Sequence, residues 1–452
     1  MKIIVVGCGK IGTTIIKGIL AEGHDVVVID NSQSVISEIS DVYDVMCVCG
    51  GAADCETLDE ADVSKADMFI AVTGSDELNM LSCYIAKKMG AKHTVARIRN
   101  PEYNDKSLSF MKQQLGLSLA INPEMLAARE LFNILKLPSA VNIETFSRRN
   151  FEMVEIRLKP NSAIDGLSVA DLRKKYPANF LVCVVQRGED VFIPSGDFVL
   201  KSGDRIGVTA SATEIQKLLK NLGILQKQAK NVMILGASRT AYYLSKMLIG
   251  IGNNVKIIDK ELRKCERISR TLPTVHVVAG DGAEQDLLLE EGIASMDAFV
   301  ALTGMDEENI LISFFAASQN VPKVISKVNR SEFASLADNM GLECIVSPRK
   351  IVADVVLRFS RAIKNSEGSN VETLYKLMDG KAEALEFNVQ PDFKYVNINI
   401  KDMKLKANIL IAGIIRGRKA IIPSGEDVIL AGDKVIVFAA GQSMNDLSDI
   451  IG

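Results

Sequence analysis

VVGCGKIG, spanning Val5 to Gly12, continues the apolar run that starts at Ile3-Ile4 and leads into the amphipathic stretch TTIIKGILAEG. Gly7-x-Gly9-x-x-Gly12 between a strand and a helix is the spacing that holds a dinucleotide pyrophosphate. Each glycine has its own task. Gly7 allows the tight turn after the strand, Gly9 leaves room for the backbone to approach a phosphate, and Gly12 lets helix and strand pack closely. The phosphates then meet free N–H groups and the positive end of a helix starting near Lys10, with Cys8 and Ile11 in the same turn.

The next strand, DVVVID, ends on Asp30, 18 residues after Gly12. A carboxylate there accepts hydrogen bonds from both ribose hydroxyls and repels a 2′-phosphate. It favours NAD or NADH, or another nucleotide with free ribose hydroxyls such as ADP or ATP, over NADP(H). Ligands of open α/β sheets lie outside the carboxyl ends of strands, which here are CGGAAD (Cys49–Asp54), VTGSDE (Val72–Glu77) and ARIR (Ala96–Arg99). Ala52 and Ala53 are small enough for adenine to pack nearby, and Thr73 and Gly74 offer a hydroxyl and backbone beside the pyrophosphate. Arg97 has two open readings: a charge-assisted bond to phosphate or carboxylate, or a surface salt bridge to Glu102.

The motif recurs. KIIVVGCGKIG at Lys2 aligns with NVMILGASRTA at Asn231, pairing Gly7 with Gly236 and Asp30 with Asp259, 229 residues apart. MFIAVTGSDELNMLS at Met68 aligns with AFVALTGMDEENILIS at Ala298; Thr73 pairs with Thr303, Asn79 with Asn309 and Arg97 with Lys327, at 230. VVQRGEDVFIPSGDFVLKSGDRIGV at Val184 matches GIIRGRKAIIPSGEDVILAGDKVIV at Gly413, with Ile193 and Ile422 again 229 apart. A spacing kept across separate signatures is the mark of duplication. The order is A–B–A′–B′, with units at 1–140, 141–226, 227–365 and 366–452.

Unit A alternates β-branched runs (KIIVV, DVVVI, DVMCV, DMFIAV, HTVARI) with amphipathic segments such as LNMLSCYIAKKMG. That pattern demands right-handed crossovers and a parallel sheet covered on both faces, a Rossmann-like α/β layer. Unit B carries FEMVEIRL, LVCVVQRG, VFIP and DRIGVTA joined by turns such as PSGD and KSGD, a small α+β domain with a mainly antiparallel sheet. EMLAARELFNILKLP after Asn122-Pro123 and SPRKIVADVVLRFSRAI from Ser347 read as helices that connect each A unit to its B unit. The second A unit has drifted: its motif is Gly236-x-Ser238-x-x-Ala241. Asp259, Thr303 and Gly304 persist, and Ser238 and Thr240, beside Arg239, still offer hydroxyls to phosphate. Whether this second site binds a different nucleotide or is vestigial stays open.

The totals exclude several functions. The 452 residues suggest about three domains at ~150 residues each, and a net charge of −3 lacks the basic footprint of a nucleic-acid partner. The clusters Arg148-Arg149 and Arg173-Lys174-Lys175 read as solvated surface. With no signal-peptide pattern and no apolar run near the ~18 residues of a membrane span, the chain is expected in the cytosol. Eight cysteines without a C-x-x-C pair read as reduced thiols, Cys47 and Cys49 as core residues on one face of a strand. Of the three histidines, His24 precedes the second strand, His93 opens the fifth and His276 lies in the second copy's third; none ends a strand where chemistry is expected. Unit B shows no metal spacing and no nucleophile–base constellation, and Asp197 and Asp204 beside turn glycines suit Asx turns. A nucleotide clamp without acid–base groups favours sensing over catalysis. The alternatives are an NAD-dependent oxidoreductase with unit B as substrate domain, and a free-standing nucleotide sensor.

VVGCGKIG…VVVID, AVTGSDELNM, ARIRNPEY and the duplicated IPSG segments resemble the regulator-of-K⁺-conductance (RCK) family. Within it, the A–B–A′–B′ order is similar to the cytosolic subunits of Trk-type potassium uptake systems. The resemblance runs over essentially the whole chain and implies a non-enzymatic, nucleotide-binding regulatory subunit. It implies a homo-tetramer whose eight A units form a ring, peripheral on the inner face of the membrane, under a polytopic potassium-translocating subunit of the Trk or Ktr type. It carries NAD⁺, NADH, ADP or ATP to Gly7, Gly9, Gly12, Asp30, Thr73 and Arg97.

Overall fold

A computed structural model describes residues 1–452 apart from 102, 104, 147–150, 161, 177, 367–370, 443 and 445. Glu102 and the Arg148-Arg149 pair therefore lie outside the described residues.

The first unit begins with β1 (Lys2–Val6), α1 (Lys10–Ala21), β2 (Asp25–Asp30), α2 (Gln33–Val42), β3 (Met46–Cys49) and α3 (Cys55–Glu60). It continues with β4 (Met68–Ala71), α4 (Asp76–Met89), β5 (His93–Arg97), α5 (Asp105–Gln114), β6 (Leu119–Ile121) and α6 (Pro123–Lys136). Its strands form one parallel sheet in the order β3-β2-β1-β4-β5-β6. β1 from Ile3 onward and all of β4 are buried, as apolar runs require in strands covered on both faces. The order reverses between β1 and β4, and that switch point opens a crevice at the carboxyl ends. Five strands are legible in the sequence; the sixth, β6, is three residues long.

The first small domain holds β7 (Asn142–Phe146), β8 (Phe151–Arg157), α7 (Val169–Lys175), β9 (Phe180–Arg187), β10 (Asp190–Phe192), β11 (Arg205–Ala210) and α8 (Ala212–Asn221). Its sheet, β10-β9-β11-β8-β7, is antiparallel throughout, with β7 an edge strand the sequence pattern does not announce. The second half repeats the plan: β12 (Asn231–Leu235), α9 (Arg239–Ile249), β13 (Asn254–Asp259), α10 (Leu262–Thr271), β14 (His276–Ala279) and α11 (Gln285–Glu290). Then come β15 (Ala298–Ala301), α12 (Asp306–Ser318), β16 (Lys323–Lys327), α13 (Ser331–Asn339), β17 (Ile345–Val346) and the long α14 (Pro348–Ser366). β18 (Val371–Leu377), β19 (Ala382–Asn388), β20 (Ile409–Arg416), β21 (Lys419–Ile421) and β22 (Lys434–Ala440) close the chain as a second antiparallel sheet.

Two features tie the halves together. The connecting helices cross over: α6 packs on α9 of the second unit, and α14 packs on α1 of the first. Ile15, Ile16 and Ile19 of α1 share one core with Val352, Val356 and Leu357 of α14, at about 1.5–3 kcal/mol per buried aliphatic side chain. Arg361 of α14 also pairs with Glu22 at the end of α1. The two small sheets meet face to face, with Phe146, Phe151 and Met153 packed among Tyr375, Leu377 and Phe438. The Phe146 and Tyr375 rings stand edge to face at 4.7 Å. Gly413 makes this contact possible, since a Cβ there would stand 2.5 Å from the Phe151 ring.

Candidate functional site

The three glycines of the opening motif have separate roles in the structure. Gly7 has φ +91°, and a Cβ on it would stand 2.9 Å from the Thr73 backbone. A Cβ on Gly12 would collide with the Gly7 carbonyl oxygen, so helix and loop touch there. Gly9, the residue before α1, has an ordinary extended conformation (φ −66°, ψ −174°), and a Cβ on it would meet nothing within 4 Å. It faces a cavity of about 1010 Å³ lined by Gly7, Gly9, Lys10, Ile11, Asp30, Ala52, Ala53, Thr73, Gly74 and Arg97. Most of the first-unit residues singled out in the sequence thus meet at one opening. Cys8 and Gly12 stand behind it; burial, then the neighbouring Asp30 charge, pushes the Cys8 thiol up to about 12, which leaves it unreactive.

Asp30 does more than face a ribose. Its Oδ2 accepts from the Cys8 N–H at 2.7 Å and its Oδ1 from the Ser32 N–H at 3.0 Å, so the end of β2 pins the glycine turn. A carboxylate has about four acceptor positions, which leaves capacity for a ligand. Thr73 departs from the sequence expectation: its hydroxyl donates to Asn79 Oδ1 at 2.7 Å and its N–H to the same atom at 2.8 Å. It lines the cavity as an acceptor, with its donors already committed. Arg97 is buried, its Nη2 donates to the Thr73 carbonyl, and its Nε has no partner among the described residues. Burial, then Arg99, lowers its pKa, against the pull of Glu124 and Asp76. No described carboxylate lies within 4.0 Å of it; Arg99 takes Asp76, at 3.7 Å. Glu124, on the first turn of α6, also lines the cavity, with Oε2 unpartnered among the described residues.

The residues flagged in the second unit split into two groups. Ser238, Arg239 and Thr240 line the first unit's cavity, together with Lys327, Asn329 and Arg349. The crossing of α6 over α9 brings the start of α9 there, so the cavity lies between the halves. Ser238 caps its own helix, its hydroxyl accepting from the Ala241 N–H at 3.3 Å. Gly236, Asp259, Thr303 and Gly304 do not line this cavity. They keep the framework of the first unit: Gly236 has φ +99°, and Asp259 accepts from the Ala237 N–H at 2.6 Å and the Glu261 N–H at 2.8 Å. Glu124, Asn329 and Arg349 carry no sequence signal that marks them as cavity residues.

None of the three histidines lines the cavity. Among the described residues no group of three or more His, Cys, Asp or Glu can hold a metal, and no helix is long and apolar enough to cross a membrane. Asp204 is the buried partner of Arg187 and accepts from the Lys201 N–H at 2.8 Å, a turn role. Cys49, expected in the core, is exposed because it ends the edge strand β3.

The sequence matches the TrkA-N domain over residues 3–123 and 232–348, and the TrkA-C domain over 153–223 and 384–452. The chain belongs to the TrkA family. The matches fall on the two parallel-sheet units and the two antiparallel ones. The Trk system potassium uptake protein TrkA homolog of Archaeoglobus fulgidus is 32% identical over 450 residues, covering 100% of both chains. The Trk system potassium uptake protein TrkA of Vibrio alginolyticus is 29% identical over 444 residues, 97% of this chain and 95% of its own. The RCK domain of GsuK superposes with a TM-score of 0.64 at 16% identity, over 97% of this chain and 92% of that one. The GsuK channel bound to NAD gives 0.63 at 16% identity, over 97% and 77%. These share the TrkA fold seen here.

Proposed function

We propose that this chain is a non-enzymatic regulatory subunit of a membrane potassium transporter, and that an adenine nucleotide in the cavity between its two A units sets the transporter's activity. One observation carries the reading. The open face at Gly9 and the start of α1 lie across a single cavity from Arg239, Lys327 and Arg349 of the other half. Helix N-termini and arginines both recognise phosphate, so a nucleotide here touches both halves at once. NAD or NADH fits the Asp30 ribose reading, with ADP or ATP as further ligands. Gly236, Asp259, Thr303 and Gly304 are then a framework remnant, and Ser238, Arg239 and Thr240 serve the first site.

A ligand that holds one arrangement of the halves more tightly than another shifts the population by that difference in affinity, typically about 1–3 kcal/mol per site. We further propose a tetrameric ring on the inner face of the membrane under a polytopic potassium-translocating subunit, with domains at 1–140, 141–226, 227–365 and 366–452. The exposed apolar side chains Leu81 and Leu311 recur 230 residues apart on the equivalent helices α4 and α12, and Phe110 on α5 and Met340, just past the end of α13, recur at the same spacing. They support an assembly that repeats one contact through both A units. The relatives named as potassium uptake proteins, and the GsuK channel bound to NAD, support the same direction. Titration with NADH, NAD⁺, ADP and ATP, with the reduced nicotinamide followed by absorbance, tests the proposal. Saturable binding with the cofactor unchanged is expected; cofactor turnover with a metabolite would overturn it.

A further inference from the structure

Each parallel-sheet unit encloses one asparagine at the same place. Asn79 on α4 and Asn309 on α12 have no exposed surface. Asn79 Oδ1 accepts from the Thr73 N–H at 2.8 Å and the Thr73 hydroxyl at 2.7 Å. Its Nδ2 donates to the Arg97 carbonyl at 2.9 Å and, at 3.4 Å, to the Thr73 carbonyl. Two acceptor positions and two donors are all that a side-chain amide has, and all four are used. Asn309 repeats the pattern, accepting from the Thr303 N–H at 2.9 Å and donating to the Lys327 carbonyl at 2.9 Å. There the Thr303 hydroxyl turns away to the Met305 carbonyl, at 3.3 Å.

The place explains the need. Pairing between β4 and β5 ends at Ala71 and Ala96, where the strands part to form the crevice. Thr73 and Arg97 lie just beyond, without ladder bonds to fix them to each other. One turn earlier on the same face of α4, Asp76 Oδ2 takes the Arg99 and Asn100 N–H groups, each at 2.8 Å. Asn79 thus continues the sheet with a side chain.

We infer that Asn79 is the positioning residue of the nucleotide cavity: by tying Thr73 to Arg97 it holds the guanidinium toward the anionic part of the ligand. The inference rests on nucleotide binding by this cavity and adds the residue that pre-organises it. Asparagine is required for the full set of bonds, because aspartate supplies the acceptor without the donors to the Arg97 and Thr73 carbonyls.

The test is a double-mutant cycle on the full chain with two probes, ADP and adenosine, which differ only in the anionic part. Asn79→Ala is expected to weaken ADP by about tenfold or more, the scale of one charge-assisted hydrogen bond. Adenosine should change much less, and Asn79→Ala should cost ADP nothing further in an Arg97→Ala background. If Asn79→Ala does not fold, Thr73→Val, which removes one of the four bonds, replaces it in the same cycle. Equal losses for both probes, or full additivity with Arg97→Ala, would make Asn79 a purely structural residue and overturn the inference. A wild-type chain that binds neither probe would instead remove the nucleotide reading itself.

Discussion

Alanine at each of the three motif glycines should give three different proteins. At Gly7, φ +91° is a left-handed conformation that costs an L-residue about 1–2 kcal/mol, and the added carbon presses on the Thr73 backbone. At Gly12 it collides with the Gly7 carbonyl, so the helix must shift, typically at about 1–3 kcal/mol. At Gly9 neither penalty applies, since the backbone is ordinary and the space is open. Reduced freedom of the unfolded chain should even stabilise that variant by about 0.4–1 kcal/mol. The new methyl group nevertheless stands where a pyrophosphate must approach, and an overpacking cost of about 1–3 kcal/mol there weakens binding by roughly 5–150-fold. Thermal melts without ligand and calorimetric titration with NADH and ADP separate the cases. Gly9→Ala should melt at or slightly above the wild type and bind poorly, whereas Gly7→Ala and Gly12→Ala should melt several degrees lower. Wild-type affinity in Gly9→Ala, or a melting temperature as low as that of Gly12→Ala, would refute the assignment of the cradle.

Arg239→Ala, though in the second half, should weaken nucleotide binding by about 10–100-fold, the worth of a hydrogen bond to a charged group, measured by the same titration. Glu130 and Glu144 lie near Arg358, Asp354 and Glu155; burial, with the Asp354 charge in the case of Glu130, raises them to about 7 and about 8. The folded chain keeps protons that the unfolded chain, with carboxyls near 4.5, has released. That contribution is therefore complete at low pH and lost as pH rises from about 4.5 to 8. Glu144→Gln should raise the melting temperature at pH 8 and leave it nearly unchanged at pH 5, in a thermal-melt pH series. Gly413→Ala drives a methyl group into the Phe151 ring between the small sheets and should destabilise by about 1–3 kcal/mol; Phe151→Leu in the same chain should recover part of the loss in denaturant melts.

The sheets were legible because their physics is local. β1 from Ile3 on and β2 from Val26 to Ile29 are β-branched and β4 is apolar throughout, and two halves that must bury the same face twice keep the same spacing from Gly7 to Gly236. Asp30 at the end of β2 was legible for a ligand, but its bonds to Cys8 and Ser32 depend on the loop's path. The edge strand β6 has three residues, too few for a period, and in β7 the polar pair Glu144-Thr145 breaks the alternation. What the sequence hid is long-range. Nothing in Pro123–Lys136 says that it packs on Arg239–Ile249 rather than on its own unit, so the drifted motif looked like a weak second site. Through that crossing Ser238, Arg239 and Thr240 become a wall of the first. The Thr73 hydroxyl is hidden by a local feature instead: its partner, Asn79, is six residues away in sequence but reaches it only through the turn into α4.

Potassium flux through the membrane partner, reconstituted with this chain and titrated with NADH and ATP, addresses the central claim most directly. Flux should depend on nucleotide with the same affinity that binding shows, and Gly9→Ala and Arg239→Ala should shift both curves together. Flux indifferent to every adenine nucleotide while the chain stays bound to its partner would contradict the account.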